Sequence, residues 1–177
     1  KKTLNSTVLT NGPKLKQFET AFRKVTKAKF AVGVSNATSA LHLSLNAIGI
    51  EQGDEVLVPN LTFAASANSI ILAGGTPVIV DVNETMNISS NSIRKAISKK
   101  TKAIMPVHFA GLSCQMDEIK DIAKANSLKI VEDCAHAIGT KFKSKHVGTI
   151  GDAGCFSFYP TKNITTIERS EEHTSEL

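Results

Sequence analysis

The stretch FAVGVSNATSALHLSLNAIGIEQGDEVLVPN, residues 30–60, decides the predicted fold of this 177-residue chain. It reads as an apolar strand over residues 30–34, a polar turn, a helix over residues 38–48 and an apolar strand over residues 55–59. The second strand, EVLVP, lacks the apolar–polar alternation of a strand with one face in water. Such a strand is typical of a parallel sheet that helices cover on both faces.

The same alternation of strand and helix continues along the chain. Further strands are predicted over residues 76–82, 102–109, 128–133 and 153–158, and further helices over residues 63–72, 90–98 and 115–126. Before the first strand, a helix carries an apolar face made of Leu15, Phe18, Phe22 and Val25. Residues 136–151 break the pattern and read as a hairpin or loop. The order predicts one α/β domain of three layers, with a mostly parallel sheet between helices.

Composition is that of an ordinary globular protein, with 41% hydrophobic and 21% charged residues. The net charge is +5, but the lysines are scattered and the chain has no Trp and one Tyr. This pattern favours anionic small molecules over a nucleic-acid surface. No apolar run approaches the roughly 20 residues of a membrane span, and no apolar segment follows the N-terminal lysines as in a secretory signal.

The three cysteines are Cys114, Cys134 and Cys155. An odd number without CxxC spacing argues against a disulfide framework and against a zinc site, so no metal site is predicted. Reduced thiols indicate a cytoplasmic protein.

Polar side chains follow the predicted strands, at the sheet edge where ligands of α/β proteins bind. In VSNATSALHLSL, Thr38 and Ser39 stand at the start of a helix, where backbone N–H groups and hydroxyls can hold a phosphate. Plain N-capping by Ser or Asn explains the same residues equally well. No G-x-G-x-x-G or G-x-x-x-x-G-K-[ST] motif supports a dinucleotide or P-loop site.

In KIVEDCAHA, an apolar strand ends in two acids. Asp133, if buried, needs a cationic or hydrogen-bonding partner such as a pyridinium nitrogen, although it could instead cap the next helix. Glu132 and Asp133 are adjacent in a strand and point to opposite faces, which disfavours a paired-carboxylate hydrolase. His136 could contact the same ligand or could be a structural histidine.

In GCFSFYPTKN, a turn that contains a proline leads from a strand to Lys162. Partial burial would lower the pKa of this amine and make it nucleophilic, as a Schiff-base lysine requires; a solvent-exposed loop lysine is the alternative. Phe63 could stack on a flat ring or belong to the core. Pyridoxal phosphate needs a turn that binds its phosphate, an aromatic ring to stack on, an acid for its pyridinium nitrogen and an amine. The candidate residues could supply all four.

These residues stand in an ordered series of motifs that runs from about residue 4 to residue 168. The series is TNGPKLKQFE, SNATSALHLSLNAIGI, GDEVLVPNLTF, GGTPVIVDV, TKAIMPVHFAG, VEDCAHAIG and GDAGCFSFYPTKNIT. It resembles the DegT/DnrJ/EryC1/StrS family of nucleotide-sugar aminotransferases. The resemblance implies the large domain of a type I pyridoxal-phosphate transferase, the aspartate aminotransferase fold.

The resemblance also implies a role for each candidate residue. Lys162 corresponds to the lysine that holds pyridoxal 5'-phosphate as an imine, and Asp133 to the partner of its pyridine nitrogen. Phe63 takes the ring-stacking position. The remaining cofactor-binding positions are Thr38, Ser39 and Ser157 at the phosphate and His136 beside the cofactor. A branch of the family that dehydrates sugars has His in place of the lysine, and Lys162 argues against that branch.

The implied activity is ping-pong transamination of a keto-sugar nucleotide by an amino donor, by family habit glutamate, in amino-sugar or surface polysaccharide biosynthesis. A homodimer is implied, whose partner completes each site. The alternatives are another type I pyridoxal-phosphate enzyme, such as a lyase or sugar dehydratase, and a non-catalytic pyridoxal-phosphate-binding regulator.

The end of the chain departs from the family pattern. Residues 1–168 are expected to be the N-terminal part of an incomplete large domain, without the small C-terminal domain. Residues 169–177, RSEEHTSEL, resemble a translated sequencing adapter, which indicates a non-native tail; a genuine polar tail is the alternative. The chain by itself is expected to be inactive.

Overall fold

The structure, a computed structural model, describes residues 7–8 and 11–165 and the backbone of residues 173–176. Its helices are α1 Pro13–Thr26, α2 Ala37–Ala47, α3 Ala64–Leu72, α4 Ser90–Ala96 and α5 Met116–Ala125, with a 3-10 turn at Phe109–Gly111. Its strands are β1 Val32–Val34, β2 Glu55–Pro59, β3 Thr76–Val80, β4 Thr101–Ile104, β5 Lys129–Asp133, β6 Lys141–Phe142, β7 Lys145–His146, β8 Ala153–Ser157 and β9 His173–Glu176.

The main sheet has the order β1-β9-β8-β5-β4-β2-β3 within the described residues. Strands β3, β2, β4, β5 and β8 pair in parallel, whereas β9 runs antiparallel to both β1 and β8. The predicted mostly parallel α/β sheet is confirmed. Strands β6 and β7 form the hairpin that the sequence suggested after residue 136.

Strand β2 shows why its sequence lacks alternation. Val56 and Val58 pack with α2 and α3 on one face of the sheet, and Leu57 packs with α4 and α5 on the other. All three side chains are fully buried. The helices therefore form two layers with the sheet between them, as predicted.

Helix α1 covers the β8 end of the second face. Phe22 is buried and lies edge-on to Phe156, with ring centroids 5.0 Å apart. Val25 was predicted on the same apolar face, but it is 64% exposed and Thr26 is buried instead. At 3.6 residues per turn, the fourth residue after Phe22 lies closer to its face than the third. The Thr26 hydroxyl is satisfied because it donates to the Phe22 carbonyl at 2.9 Å.

The strand predicted over residues 102–109 is shorter in the structure. Strand β4 ends at Ile104, and the chain continues through Pro106, which has no N–H for a sheet. Backbone pairing persists in part: the Asp133 N–H donates to the Pro106 carbonyl at 2.9 Å, and the His108 N–H donates to the Asp133 carbonyl at 3.1 Å. Asp133 is thus held between two neighbouring segments of the sheet.

Strand β9 falls in the segment that the sequence analysis assigned to a tail. Its backbone lies between β1 and β8, so in this structure it joins β1 to the rest of the sheet. Residues 169–172 and 177 of the same segment are outside the described residues. None of the helices in the described part of the chain combines the length and apolarity that crossing a bilayer requires.

Candidate cofactor site

A cavity of about 600 Å³ lies at the carboxyl ends of β1, β5 and β8. Its lining contains six of the seven predicted site residues, namely Thr38, Phe63, Asp133, His136, Ser157 and Lys162. These side chains come from separate turns after different strands and meet because parallel strands end at one edge of the sheet. Ser39, the seventh, is not among the lining residues.

Asp133 is the last residue of β5 and is 5% exposed. One carboxylate oxygen, Oδ2, accepts the Ser66 hydroxyl at 2.8 Å, and Oδ1 accepts the Ala135 N–H at 3.0 Å. Within residues 11–165 no lysine, arginine or histidine lies within ion-pair distance of this carboxylate. A buried carboxylate beside a cavity, with no cation paired to it, suits a ligand that carries a protonated nitrogen.

Lys162 follows β8 by a turn, in which its own N–H donates to the Tyr159 carbonyl at 2.9 Å. The side chain is half-buried. Burial lowers the pKa of the Lys162 amine, and the nearby Asp133 carboxylate acts in the opposite direction without cancelling the effect. The amine is therefore more readily deprotonated, and so more nucleophilic, than an ordinary lysine. This is the behaviour that the sequence predicted.

His136 lies beside both groups. Its pKa is lowered first by burial and then by the positive charge of Lys162, while Asp133 works against both. The imidazole is thus mainly neutral at pH 7. The ring also meets the Phe109 ring edge-on, with centroids 6.2 Å apart.

The N-terminus of α2 borders the cavity, at the position where the sequence predicts a phosphate site. Asn36 caps the helix, since its side chain accepts the Ser39 N–H at 2.7 Å. The Ser39 hydroxyl lies 3.2 Å from the Ser35 hydroxyl rather than at the cavity. The first N–H groups, at Ala37 and Thr38, have no partner within the helix and stay available to an anion. Capping and anion binding, alternatives in the sequence, are therefore compatible.

Phe63 precedes α3 and is 78% exposed at the cavity. The alternative that it belongs to the core is wrong. A large aromatic ring left in water beside a cavity is suited to stacking on a flat ligand.

Three neighbours of the site were not predicted. Ser66 donates to Asp133, and Thr62 lies against Ser66 with their hydroxyl oxygens 2.7 Å apart. Their spacing of four residues in LTFAAS, one helical turn, was the available signal. Asn87 is buried and accepts the Phe109 N–H at 3.0 Å. Nothing in the sequence indicates that Asn87 would contact the 3-10 turn that begins at Phe109.

Glu132 points away from the cavity, which confirms that the two adjacent acids face opposite sides of the sheet. It is fully buried and accepts hydrogen bonds from His108 and from the backbone N–H groups of residues 148, 150 and 151. The His108, Glu132 and Cys134 donor atoms lie within 4.8 Å of one another. Because these hydrogen bonds already occupy the Glu132 oxygens, the cluster is not suited to a metal ion.

The chain is similar to known proteins of one family. The model of the DegT/DnrJ/EryC1/StrS aminotransferase family matches residues 1–169. The chain is 48% identical to the spore coat polysaccharide biosynthesis protein SpsC of Bacillus subtilis over 167 residues, covering 94% of this chain and 43% of SpsC. It is likewise 48% identical to the GDP-perosamine synthase of Escherichia coli O157:H7, covering 93% of this chain and 46% of that enzyme.

Two solved structures show the same fold. The aminotransferase from Psychrobacter cryohalolentis superposes with a TM-score of 0.90 at 41% identity, over 93% of this chain and 42% of its own. The PLP form of the putative sugar aminotransferase Spr1654 from Streptococcus pneumoniae gives 0.92 at 35% identity, over 99% of this chain and 48% of its own. Spr1654 has also been solved in a PMP form. The chain spans less than half the length of these relatives, and it belongs to the DegT/DnrJ/EryC1/StrS aminotransferase family.

Proposed function

We propose that this chain is the cofactor-binding part of a pyridoxal-phosphate-dependent aminotransferase that acts on a keto-sugar nucleotide. The observation that carries the proposal is one cavity that holds a buried Asp133 without an ion-pair partner among the described residues, an amine of lowered pKa at Lys162 and an exposed Phe63 ring. Support for the substrate comes from the relatives, one of which is a GDP-perosamine synthase. Glutamate is the proposed amino donor.

Each side chain has a part in this chemistry. When bound, pyridoxal phosphate supplies a ring that takes up the electrons left behind when a proton leaves the donor's carbon. Lys162 Nζ would hold the cofactor, and as a free amine it would accept and return that proton. Asp133 would hold the protonated ring nitrogen, and Phe63 would stack on the ring. Thr38, Ser157 and the N-terminus of α2 would hold the phosphate, and His136, which also lines the cavity, would contact the cofactor.

The rest of the proposal concerns the whole protein. Residues 1–168 are assigned to the N-terminal part of the large domain and residues 169–177 to a non-native tail. A cytoplasmic homodimer, a completed large domain and a small domain would supply the remaining contacts to phosphate and sugar. Turnover therefore belongs to the whole protein, whereas cofactor attachment can be tested on the chain itself.

The test is to incubate the chain with pyridoxal phosphate, reduce it with borohydride and locate the label by peptide mass spectrometry. We expect the label on Lys162, because among the described residues that line the cavity it is the single lysine, and its lowered pKa makes the amine more nucleophilic. Lys162→Ala should remove the label, whereas Lys102→Ala, which alters an exposed lysine of β4, should leave it unchanged. A label that persists in Lys162→Ala, or a chain that takes up none, would contradict the proposal.

A further inference from the structure

Two hydroxyl groups and one carboxylate are linked by consecutive hydrogen bonds behind the cavity, and the donor of each bond can be assigned. The Ser66 Oγ lies 2.8 Å from Asp133 Oδ2, and the Thr62 Oγ1 lies 2.7 Å from the Ser66 Oγ. An ionised carboxylate only accepts, and a hydroxyl has a single proton to donate. Ser66 therefore gives its proton to Asp133, and Thr62 must be the donor to Ser66.

This series of hydrogen bonds runs from the cavity surface into the core. Thr62 lines the cavity, whereas Ser66 is 0% exposed and lies in the first turn of α3. A carboxylate has about four lone-pair positions. Ser66 and the Ala135 N–H occupy one on each oxygen, so positions remain for a donor that enters from the cavity.

We propose that Ser66, oriented by Thr62, is a positioning residue that holds the Asp133 carboxylate aimed at the ring nitrogen of the bound cofactor. The inference rests on the proposed function. A hydrogen bond from a fixed donor restricts the rotation of a carboxylate, and such a bond is stronger where water is excluded. Without the hydroxyl, Asp133 would keep only the Ala135 N–H, and its Oδ2 would be buried without a donor from the protein.

Ser69 offers an internal comparison. It is also 0% exposed and lies on the same helix, but its hydroxyl donates to the Ser66 backbone carbonyl at 2.8 Å. Ser69→Ala thus removes a buried serine hydroxyl from α3 without touching Asp133. It is the matched control for Ser66→Ala.

The first measurement needs no cofactor. In the wild-type chain we expect the Ser66 hydroxyl proton to give a slowly exchanging NMR signal, because the group is buried and hydrogen-bonded. Thr62→Val should speed its exchange, because Ser66 loses the group that orients it. A Ser66 hydroxyl that exchanges as fast as an exposed serine would overturn the inference.

The second measurement uses pyridoxal phosphate labelled with 15N at the ring nitrogen, whose chemical shift reports whether that atom is protonated. We expect the bound wild type and Ser69→Ala to show a protonated nitrogen. Ser66→Ala should move the shift towards the unprotonated value and weaken cofactor binding about tenfold. Ser66→Thr, which keeps a hydroxyl, should restore the shift.

The outcomes separate the two proposals. A wild-type chain that does not take up the cofactor contradicts the proposed function, and the inference with it. A wild type that binds with a protonated nitrogen, and a Ser66→Ala variant with the same shift and affinity, overturns the inference alone. Equal changes in Ser66→Ala and Ser69→Ala would also overturn it, since they would indicate only a loosened helix.

Discussion

At the residue scale, two phenylalanines show how environment separates a structural from a binding role. Phe22 is 5% exposed and packs against Phe156, whereas Phe63 is 78% exposed at the cavity. Truncating a buried phenylalanine costs about 3–5 kcal/mol, and a change at an exposed site about 0.5 kcal/mol or less. We expect Phe22→Ala to lower the free energy of unfolding by about 3–5 kcal/mol and Phe63→Ala to leave it nearly unchanged, as measured by urea denaturation.

For cofactor binding, in contrast to stability, Phe63 is the residue whose truncation should have an effect. A stacked aromatic pair contributes about 0.5–1.5 kcal/mol, so Phe63→Ala should weaken pyridoxal-phosphate binding about 2- to 10-fold. Phe63→Tyr keeps a flat ring and should bind as the wild type does. A large loss of stability in Phe63→Ala would mean that the ring is buried in solution, and its role in the cavity would then be wrong.

Local pattern made candidates of the acid that ends a buried strand, Asp133, and of the lysine after β8, Lys162, but left an alternative open for each. The ordered series of motifs around them was needed to select them. Ser66 could not be selected from the sequence, because a small polar residue on an apolar helix usually bonds its own backbone, as Ser69 does. Only the packing of α3 beside the end of β5 decides that Ser66 reaches a carboxylate.

At the scale of elements, Glu132 ties β5 to the segment that precedes β8. Its Oε1 accepts the N–H groups of Ile150 at 2.8 Å and Gly151 at 2.7 Å. Its Oε2 accepts the Gly148 N–H at 2.8 Å and the His108 Nε2 at 3.0 Å. His108 Nδ1 accepts the Cys114 N–H, so its proton lies on Nε2. One carboxylate thus sets the spacing of two strands that carry site residues.

The ionisation of Glu132 makes this link sensitive to acid. Burial alone would raise the pKa of Glu132, but the hydrogen bond from His108, with those from the Gly148 and Gly151 N–H groups, outweighs it. The pKa therefore lies below the ordinary value of 4.5. The unfolded chain then binds more protons, and the stabilisation is complete above about pH 4.5 and is lost as the pH falls through the folded-state pKa.

Glu132→Gln, which keeps the shape but cannot ionise, should lower the free energy of unfolding at pH 7 by about 1.5–3 kcal/mol, because the hydrogen bonds to a charged acceptor are lost. Its amide NH₂ would also face backbone N–H donors. The difference from the wild type should shrink as the pH falls below about 4.5, where the unfolded wild-type chain takes up a proton at Glu132 before the folded chain does. Denaturant titrations across pH measure it, with the exposed Glu84→Gln as control. A difference that stays constant down to low pH would contradict an ionised Glu132.

The sequence predicted which segments are helices and strands more accurately than it predicted the residues at which they end. The continuous apolar run over residues 102–109 suggested one strand, but sheet pairing needs N–H donors and Pro106 supplies none. For α1, an approximate period admitted Val25, although the helix geometry buries Thr26. Hydrophobicity identifies which elements exist, whereas hydrogen bonding decides where they stop.

At the scale of the whole molecule, β9 decides how the sheet is closed. Among the described strands β1 pairs with β9 alone, and β9 pairs on its other side with β8. Deleting residues 166–177 would leave β1 without its strand partner and would expose an edge of β8. We therefore expect faster amide hydrogen exchange in Val32–Val34 and concentration-dependent association of the shortened chain, measured by exchange mass spectrometry and light scattering.

Strand β3, at the far edge of the sheet, is the internal control, because its exchange should not change. Unchanged exchange in β1 would mean that β9 does not pair there in solution. That outcome would contradict a part for residues 173–176 in the sheet.

The sequence by itself determined the layered α/β architecture, the faces of its strands and the residue types that a pyridoxal-phosphate site needs. Those features follow from apolar periodicity and from polar residues at strand ends, which are local properties of the chain. Only the tertiary structure decided that Thr38 rather than Ser39 reaches the cavity, that Phe63 is exposed, and that Ser66 and Thr62 stand behind Asp133. Hydrogen bonds between distant segments depend on how the helices and strands pack. The periodicity of the sequence therefore does not predict which buried polar groups will contact one another.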